Sequence, residues 1–298
     1  MKFGDIKSLL DFGAFRPEPD DSSAPWSRRF PHQKSLLLNI GKTQTTWKTL
    51  GKGGKLLDGG IHKGEFKDAV EQCAADWRAA TDDGWCAVSM NTRYVISLEN
   101  NLSRKPGVED LIRTNPRAAI GSRYERGKRY ALTHNPESVA SILLSCEEEQ
   151  IRRIEGLMKE AGLEVGRVAC GTYALLVRLL EETNPEKAVK VQKPEDTGRR
   201  AERLYLVCCE GSVCALLQAG DLWTELRSRS DLYTDGAVEP ALDLLQPLTA
   251  RLDAGAELLV VTDTDRSPIV DRLREQLPEV RIEDLSQPQH LWRVLAEL

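Results

Sequence analysis

Three short stretches carry the residue types that chemistry would need. In the first, Asn39-Ile40-Gly41-Lys42-Thr43-Gln44-Thr45-Thr46, a glycine turn adjoins a lysine and hydroxyls. Asn39, Lys42, Thr43 and Thr45 could bind a phosphate there through backbone and side-chain donors. The same pattern also serves as a solvent-facing hairpin, the commoner outcome for such a turn. In the second stretch, Cys208, Cys209 and Cys214 flank Glu210-Gly211-Ser212. They could be reactive thiols, but in strand-like segments cysteines pack far more often than they react. The third, Thr262-Asp263-Thr264-Asp265, could bind a metal through Asp263 and Asp265, or be a polar loop entering a helix at Ser267-Pro268.

Elsewhere the chemistry thins out. Cys73, Cys86, Cys146 and Cys170 complete a set of seven cysteines in apolar segments with no C-x-x-C pair, as expected of reduced, buried thiols. His32, His62, His134 and His290 are far apart in sequence, so no metal site is expected from them. Arg123, Arg126, Lys128 and Arg129 lie near Tyr124 and Tyr130, but no nucleic-acid motif surrounds them and no nucleic-acid partner is expected.

The elements that must position these residues come from an ordinary globular mix. The 298 residues are 41% hydrophobic and 29% charged, with a net charge of −5, which suits one large or two modest domains. Disorder, collagen and a coiled coil are excluded as the main architecture. No apolar run approaches the ~20 residues of a membrane span. Asp5, Lys7 and Asp11 interrupt the N-terminal apolar stretch, so no secretory signal is expected. Residues 1–135 carry an excess of six positive charges and 136–298 an excess of eleven negative ones. That asymmetry could steer an acidic partner to the first half or be a solvated surface.

Residues 1–33 read as an N-terminal arm and linker: Phe3, Ile6, Leu9, Leu10 and Phe15 suit a short docked helix, and Arg16 to Pro31 is rich in Pro, Ser and Asp. A first body then spans 34–183, a polar linker 184–203, and a second body 204–298. In the second body, Leu204–Cys209, Val213–Gln218 and Leu222–Arg227 form a predicted meander. A helix over about 237–252, kinked at Pro247, a buried strand Glu257–Thr262, a helix from Pro268, a strand Val280–Leu285 and a last helix complete βββαβαβα. The first body starts alike, with strands Ser35–Ile40, Thr45–Leu50 and Lys55–Gly60, helix Glu65–Ala80 and strand Trp85–Met90. An irregular insert of about 91–138 follows. Order resumes with a strand Val139–Leu144, a Ser145/Glu148 capping box, a helix closed by Gly162, a strand Val165–Cys170 and a helix Thr172–Leu180.

Two copies of one topology resemble the α/β, duplicated ribonuclease-H-like (actin-like) fold of the actin, Hsp70 and sugar-kinase superfamily. Such proteins hold ATP and Mg²⁺ between their bodies, using a D-x-G hairpin in each and a Gly-Gly loop beneath adenosine. Asn39-Ile40-Gly41 resembles the first hairpin with Asn for Asp, and Cys209-Glu210-Gly211 the second with Cys for Asp. Thr262, Asp263 and Thr264 stand in place of the Gly-Gly loop. The resemblance therefore implies a vestigial nucleotide cleft at Asn39, Gly41, Lys42, Thr43, Thr45, Gly211 and Ser212, with no catalytic residue, no metal site and no cofactor expected.

The insert's position and the segments Ser141–Val177 and Trp85–Leu102 are most similar to the PilM/GspL branch, cytoplasmic scaffolds of type IV pilus and type II secretion machines. This implies a non-enzymatic scaffold at the inner face of the inner membrane, with a membrane-anchored PilN-like peptide and a secretion-type ATPase as partners. In that branch the peptide lies in a groove between the first body's core and its insert. The outer subdomain expected in the second body is missing, since only 253–256 separate helix from strand, as in GspL-type domains. The alternatives are an active ATPase or sugar-type kinase, which needs the absent Asp residues, and a ribonuclease-H-type nuclease, which needs a first-strand carboxylate. The sequence leaves the oligomeric state open.

Overall fold

The first apolar run, Ser35–Ile40, forms β1 at the centre of a five-stranded sheet, with Leu36, Leu37 and Leu38 all fully buried. A computed structural model describes residues 35–51, 55–81, 85–103, 108–133, 140–183, 201–220, 222–232, 238–263 and 268–297. The N-terminal arm, most of the 184–203 linker, Thr264, Asp265 and the Ser267 cap lie outside the described residues.

In the first body, β1, β2 (Gln44–Leu50) and β3 (Leu56–Lys63) form an antiparallel meander, followed by α1 (Phe66–Ala80) and β4 (Trp85–Met90). β4 lies parallel to β1, and β8 (Glu164–Ala169) parallel to β4, for a strand order β3-β2-β1-β4-β8. α4 (Glu148–Glu160) precedes β8 and α5 (Gly171–Thr183) follows it. β3 runs through Gly59-Gly60 rather than turning there. A Cβ on Gly60 would lie 2.3 Å from the Trp47 ring, so the missing side chain is what lets that indole lie across the strand. Trp47 in turn packs edge-on against Trp77 of α1, with 5.7 Å between ring centroids.

The second body repeats the pattern without an insertion. β9 (Ala201–Cys209), β10 (Ser212–Ala219) and β11 (Leu222–Arg229) form the meander, and β9 begins inside the stretch the sequence assigns to the linker. α6 (Glu239–Thr249), β12 (Leu252–Thr262), α7 (Pro268–Gln276), β13 (Arg281–Asp284) and α8 (His290–Glu297) complete an order β11-β10-β9-β12-β13. Leu252 opens β12 instead of closing α6, so helix passes to strand with no outer subdomain between.

Between β4 and α4 the first body carries a separate sheet, β5 (Val95–Ser103), β7 (Ala140–Glu147) and β6 (Lys128–Thr133), in the order β5-β7-β6. α2 (Val108–Thr114) and α3 (Pro116–Ile120) belong to the same unit, and Ile112, Ile120, Leu132 and Leu143 form its own small core. The strand expected at Val139–Leu144 is thus the middle strand of this sheet, which extends the inserted unit beyond 138. The Ser145/Glu148 capping box does not form. Ser145 pairs with Ile96 and Tyr130 inside β7, and Glu147 stands at the N-cap of α4 without a side-chain bond. Tertiary pairing outweighs the local signal there. Gly162 closes α4 as expected, with φ 75° and the Leu163 amide bonded to the Met158 carbonyl.

α5 packs on β9, β10 and β12 of the second body, while α8 reaches back to β1 and α5. Tyr173, Leu175, Leu176 and Leu179 of α5 are fully buried in the core shared by both bodies. At the start of α5, the Gly171 amide donates to Ser89 Oγ at 3.0 Å. A Cβ on Gly171 would lie 2.5 Å from Leu291 of α8 and 2.7 Å from Ser89 Oγ.

Candidate functional site

Along the seam between the bodies, the two hairpin turns face one another. The first is closed by the Gly41 amide, which donates to the Gln44 carbonyl at 2.9 Å. The second is a two-residue turn with Glu210 at φ 49° and Gly211 at φ 75°, the pair of left-handed residues that a tight hairpin requires. A Cβ on Gly41 would meet Glu210 Oε2 at 3.5 Å, so the Glu210 side chain lies against the opposite hairpin.

Hydrogen bonds join the bodies around this point. The Asn91 side-chain amide donates to the Glu210 carbonyl at 3.1 Å, Thr92 Oγ1 donates to Ser212 Oγ at 2.8 Å, and Ser212 Oγ donates to Asn91 Oδ1 at 3.2 Å. Asn91 and Thr92 open a single 3-10 turn, Thr92–Tyr94, between β4 and β5, and Asn91 caps it by accepting from the Arg93 amide. Within the second body, the Glu210 amide donates to Asp263 Oδ2 at 2.7 Å and the Gly211 carbonyl accepts from the Leu232 amide. Lys42 reaches Asp231 at 3.5 Å.

The residues singled out in the sequence are only partly brought together. Gly41, Gly211 and Ser212 are at the seam, and Asn39 is buried on the sheet face that Thr46 shares. Thr45 is also buried, but it pairs with Ile40 and His62 on the opposite face, because side chains alternate along a strand. Thr45 therefore does not share a space with Asn39. Lys42 and Thr43 are exposed at the tip. Thr262 is fully buried, and its amide and hydroxyl lie 2.8 and 3.0 Å from Ser286 Oγ. Asn91 and Thr92 were missed, since they sit in a stretch without periodicity and pair with residues more than a hundred positions away.

Burial, and then the nearby Asp263 carboxylate, hold the Glu210 carboxyl above the usual carboxylate range, while the side chains of Gln44 and Asn39 pull it the other way. An anion here would meet the Asp263 carboxylate and the Glu210 side chain and find the Glu210 amide already engaged. The cysteines are packing residues: burial pushes the Cys170 and Cys146 thiols up to about 12 and raises Cys86, Cys208, Cys209 and Cys214 as well. At neutral pH they are protonated and poor nucleophiles. Among the described residues, no group of three or more His, Cys, Asp or Glu side chains is arranged to hold a metal ion.

Two ribonuclease-H-like bodies, crossed by α5 and α8 and meeting at facing hairpins, define the actin-like fold. No protein-family model and no curated protein matches the chain. Solved structures do. The PilM–PilN type IV pilus biogenesis complex matches with a TM-score of 0.53 at 15% identity, over 86% of this chain and 89% of that one. A protein of actin-like ATPase fold and unknown function from Bacteroides thetaiotaomicron matches with a TM-score of 0.51 at 9% identity, over 88% and 95%. The cytoplasmic domain of EpsL, an inner-membrane component of the type II secretion system of Vibrio cholerae, gives 0.49 at 11% identity, over 88% and 92%. Among the described residues, no helix is long and apolar enough to cross a membrane.

Proposed function

We propose that this chain is a non-enzymatic scaffold of an envelope-spanning assembly, of the type IV pilus or type II secretion kind, that binds a membrane-anchored partner through a short peptide. The observation that carries the reading is the closed seam. Phosphoryl transfer depends on positioning and on neutralising charge. Here Asp263 brings negative charge to the junction, the Glu210 side chain fills it, and the polar groups of Asn91, Thr92 and Ser212 are spent on one another and on the Glu210 carbonyl. The structural similarity to PilM, solved together with PilN, supports a protein partner. By that resemblance the peptide would lie between the first body's core and its insert, and the positive excess of the first half suits an acidic or neutral peptide with apolar anchors.

Steady-state phosphate release with Mg²⁺ and ATP is expected to stay at background. Titrating the chain with an acidic or neutral N-terminal peptide of a membrane-anchored partner should give saturable binding. Mg²⁺-dependent turnover abolished by Gly41→Val would replace this reading with the ATPase or kinase alternative.

A further inference from the structure

The turn between β9 and β10 carries a glutamate where a glycine would be easier. Glu210 has φ 49°, a left-handed conformation that disfavours side-chain-bearing residues. Its backbone is clamped at both ends, by Asp263 within the second body and by Asn91 from the first. Its side chain crosses to the first hairpin and stops against Gly41, where a Cβ would come within 3.5 Å. One strained residue thus touches β1–β2, the 91–94 turn and the end of β12.

We propose that Glu210 is a built-in latch that holds the two bodies closed across the seam and loosens as pH rises. The inference rests on reading the seam as a non-catalytic junction. The groups around the carboxyl set the direction. The first hairpin presents the neutral side chains of Asn39 and Gln44, and its Lys42 is turned to Asp231. The 91–94 turn presents the neutral Asn91 amide, with the Arg93 guanidinium stacked on Tyr94. The end of β12 presents the Asp263 carboxylate, and β9 the protonated Cys209 thiol. Among the described residues, the cations of the first hairpin's tip and of the 91–94 turn, Lys42 and Arg93, are engaged with Asp231 and Tyr94. A carboxyl whose pKa is raised on folding gives its full stabilisation below its unfolded value, and that stabilisation is lost as pH rises through the folded one.

Two variants of the full chain test the latch. Glu210→Gln keeps the shape and stays neutral. Its melting temperature should match wild type at about pH 4, below the ordinary glutamate value, and exceed it at pH 8. Glu210→Gly relieves the turn's strain but removes the side chain. Hydrogen exchange at 41–44, in the opposite hairpin, should then quicken several-fold while β9 and β10 keep their protection. Parallel melting profiles for wild type and Glu210→Gln would overturn the proposal, as would unchanged exchange at 41–44 in Glu210→Gly. Turnover of ATP is measured separately, so failure of the scaffold reading and failure of the latch are told apart.

Discussion

The two bodies share a strand order but not a way of covering their sheets. In β9, β10 and β12 both faces are apolar and both are buried. Leu204, Leu206, Val213, Ala215, Leu217, Leu258 and Val260 point into the second body's own core. Their neighbours Tyr205, Val207, Cys214, Leu216, Leu259 and Val261 belong to the core shared with the first body. All eight residues of β10 are buried. The first body's β3, the counterpart of β11, is an edge strand among the described residues with Ile61 63% exposed, although β4 is buried along its whole length as β10 is. The first body lends α5 to the second and receives α8 in return, while β5 of the insert also touches β11. The second body is therefore incomplete without the first, and the chain should behave as one cooperative unit although its topology is twofold.

The largest test of this asymmetry uses adjacent residues on β10. Leu216 faces the shared core and Leu217 the private one, and both are fully buried. Leu216→Ala and Leu217→Ala should each cost about 2–5 kcal/mol, through lost burial and the cavity left behind. In a cooperative chain both lower a single denaturant midpoint with one transition. Two transitions, with Leu217→Ala moving only one, would show the bodies to be independent domains.

A smaller effect is expected where α5 meets α8. At Gly171, an added methyl must displace Leu291 and Ser89, which α8 and β4 hold in place. Gly171→Ala should lose about 1–3 kcal/mol of stability by overpacking, despite alanine's better helix propensity. If equilibrium unfolding shows the variant equal to or more stable than wild type, the seam is softer at this point than the geometry implies.

How much of this was legible in the sequence follows from what is local. The run Glu257–Thr262 announces a buried strand, and the repeated βββαβαβα order announces two like bodies. The identity of the covering element was hidden, because α5 and β10 are separated by a long polar stretch. Ala140–Glu147 looks like a strand from its apolar residues, but no local pattern says that it pairs with β5 and β6 instead of joining the larger sheet. At the seam, Glu210 was visible only as the middle residue of a hairpin with Cys209 in place of Asp, and Asp263 only as a candidate metal ligand or a replacement in the Gly-Gly loop. Their positive content, a carboxylate laid on the opposite hairpin and another holding its backbone, depends on contacts among residues 41, 91, 210 and 263, which no spacing rule connects.

The smallest expected effect belongs to the most conspicuous charge at the seam. Lys42 bridges the bodies to Asp231 at 3.5 Å, but the two side chains are 52% and 42% exposed. Water screens such a pair, and fixing two mobile side chains offsets much of the attraction, so exposed bridges contribute about 0–1 kcal/mol. Lys42→Ala should therefore shift the unfolding midpoint far less than Leu216→Ala, and what shift there is should shrink further in 0.5 M salt, where the screening length falls to about 4–5 Å. The contrast matters because a lysine at the tip of a hairpin invites a functional reading. If Lys42→Ala costs as much as a buried leucine, and keeps that cost at high salt, then Lys42 does more than balance Asp231, and the anion-free account of the junction would have to give way to one in which the lysine serves a ligand.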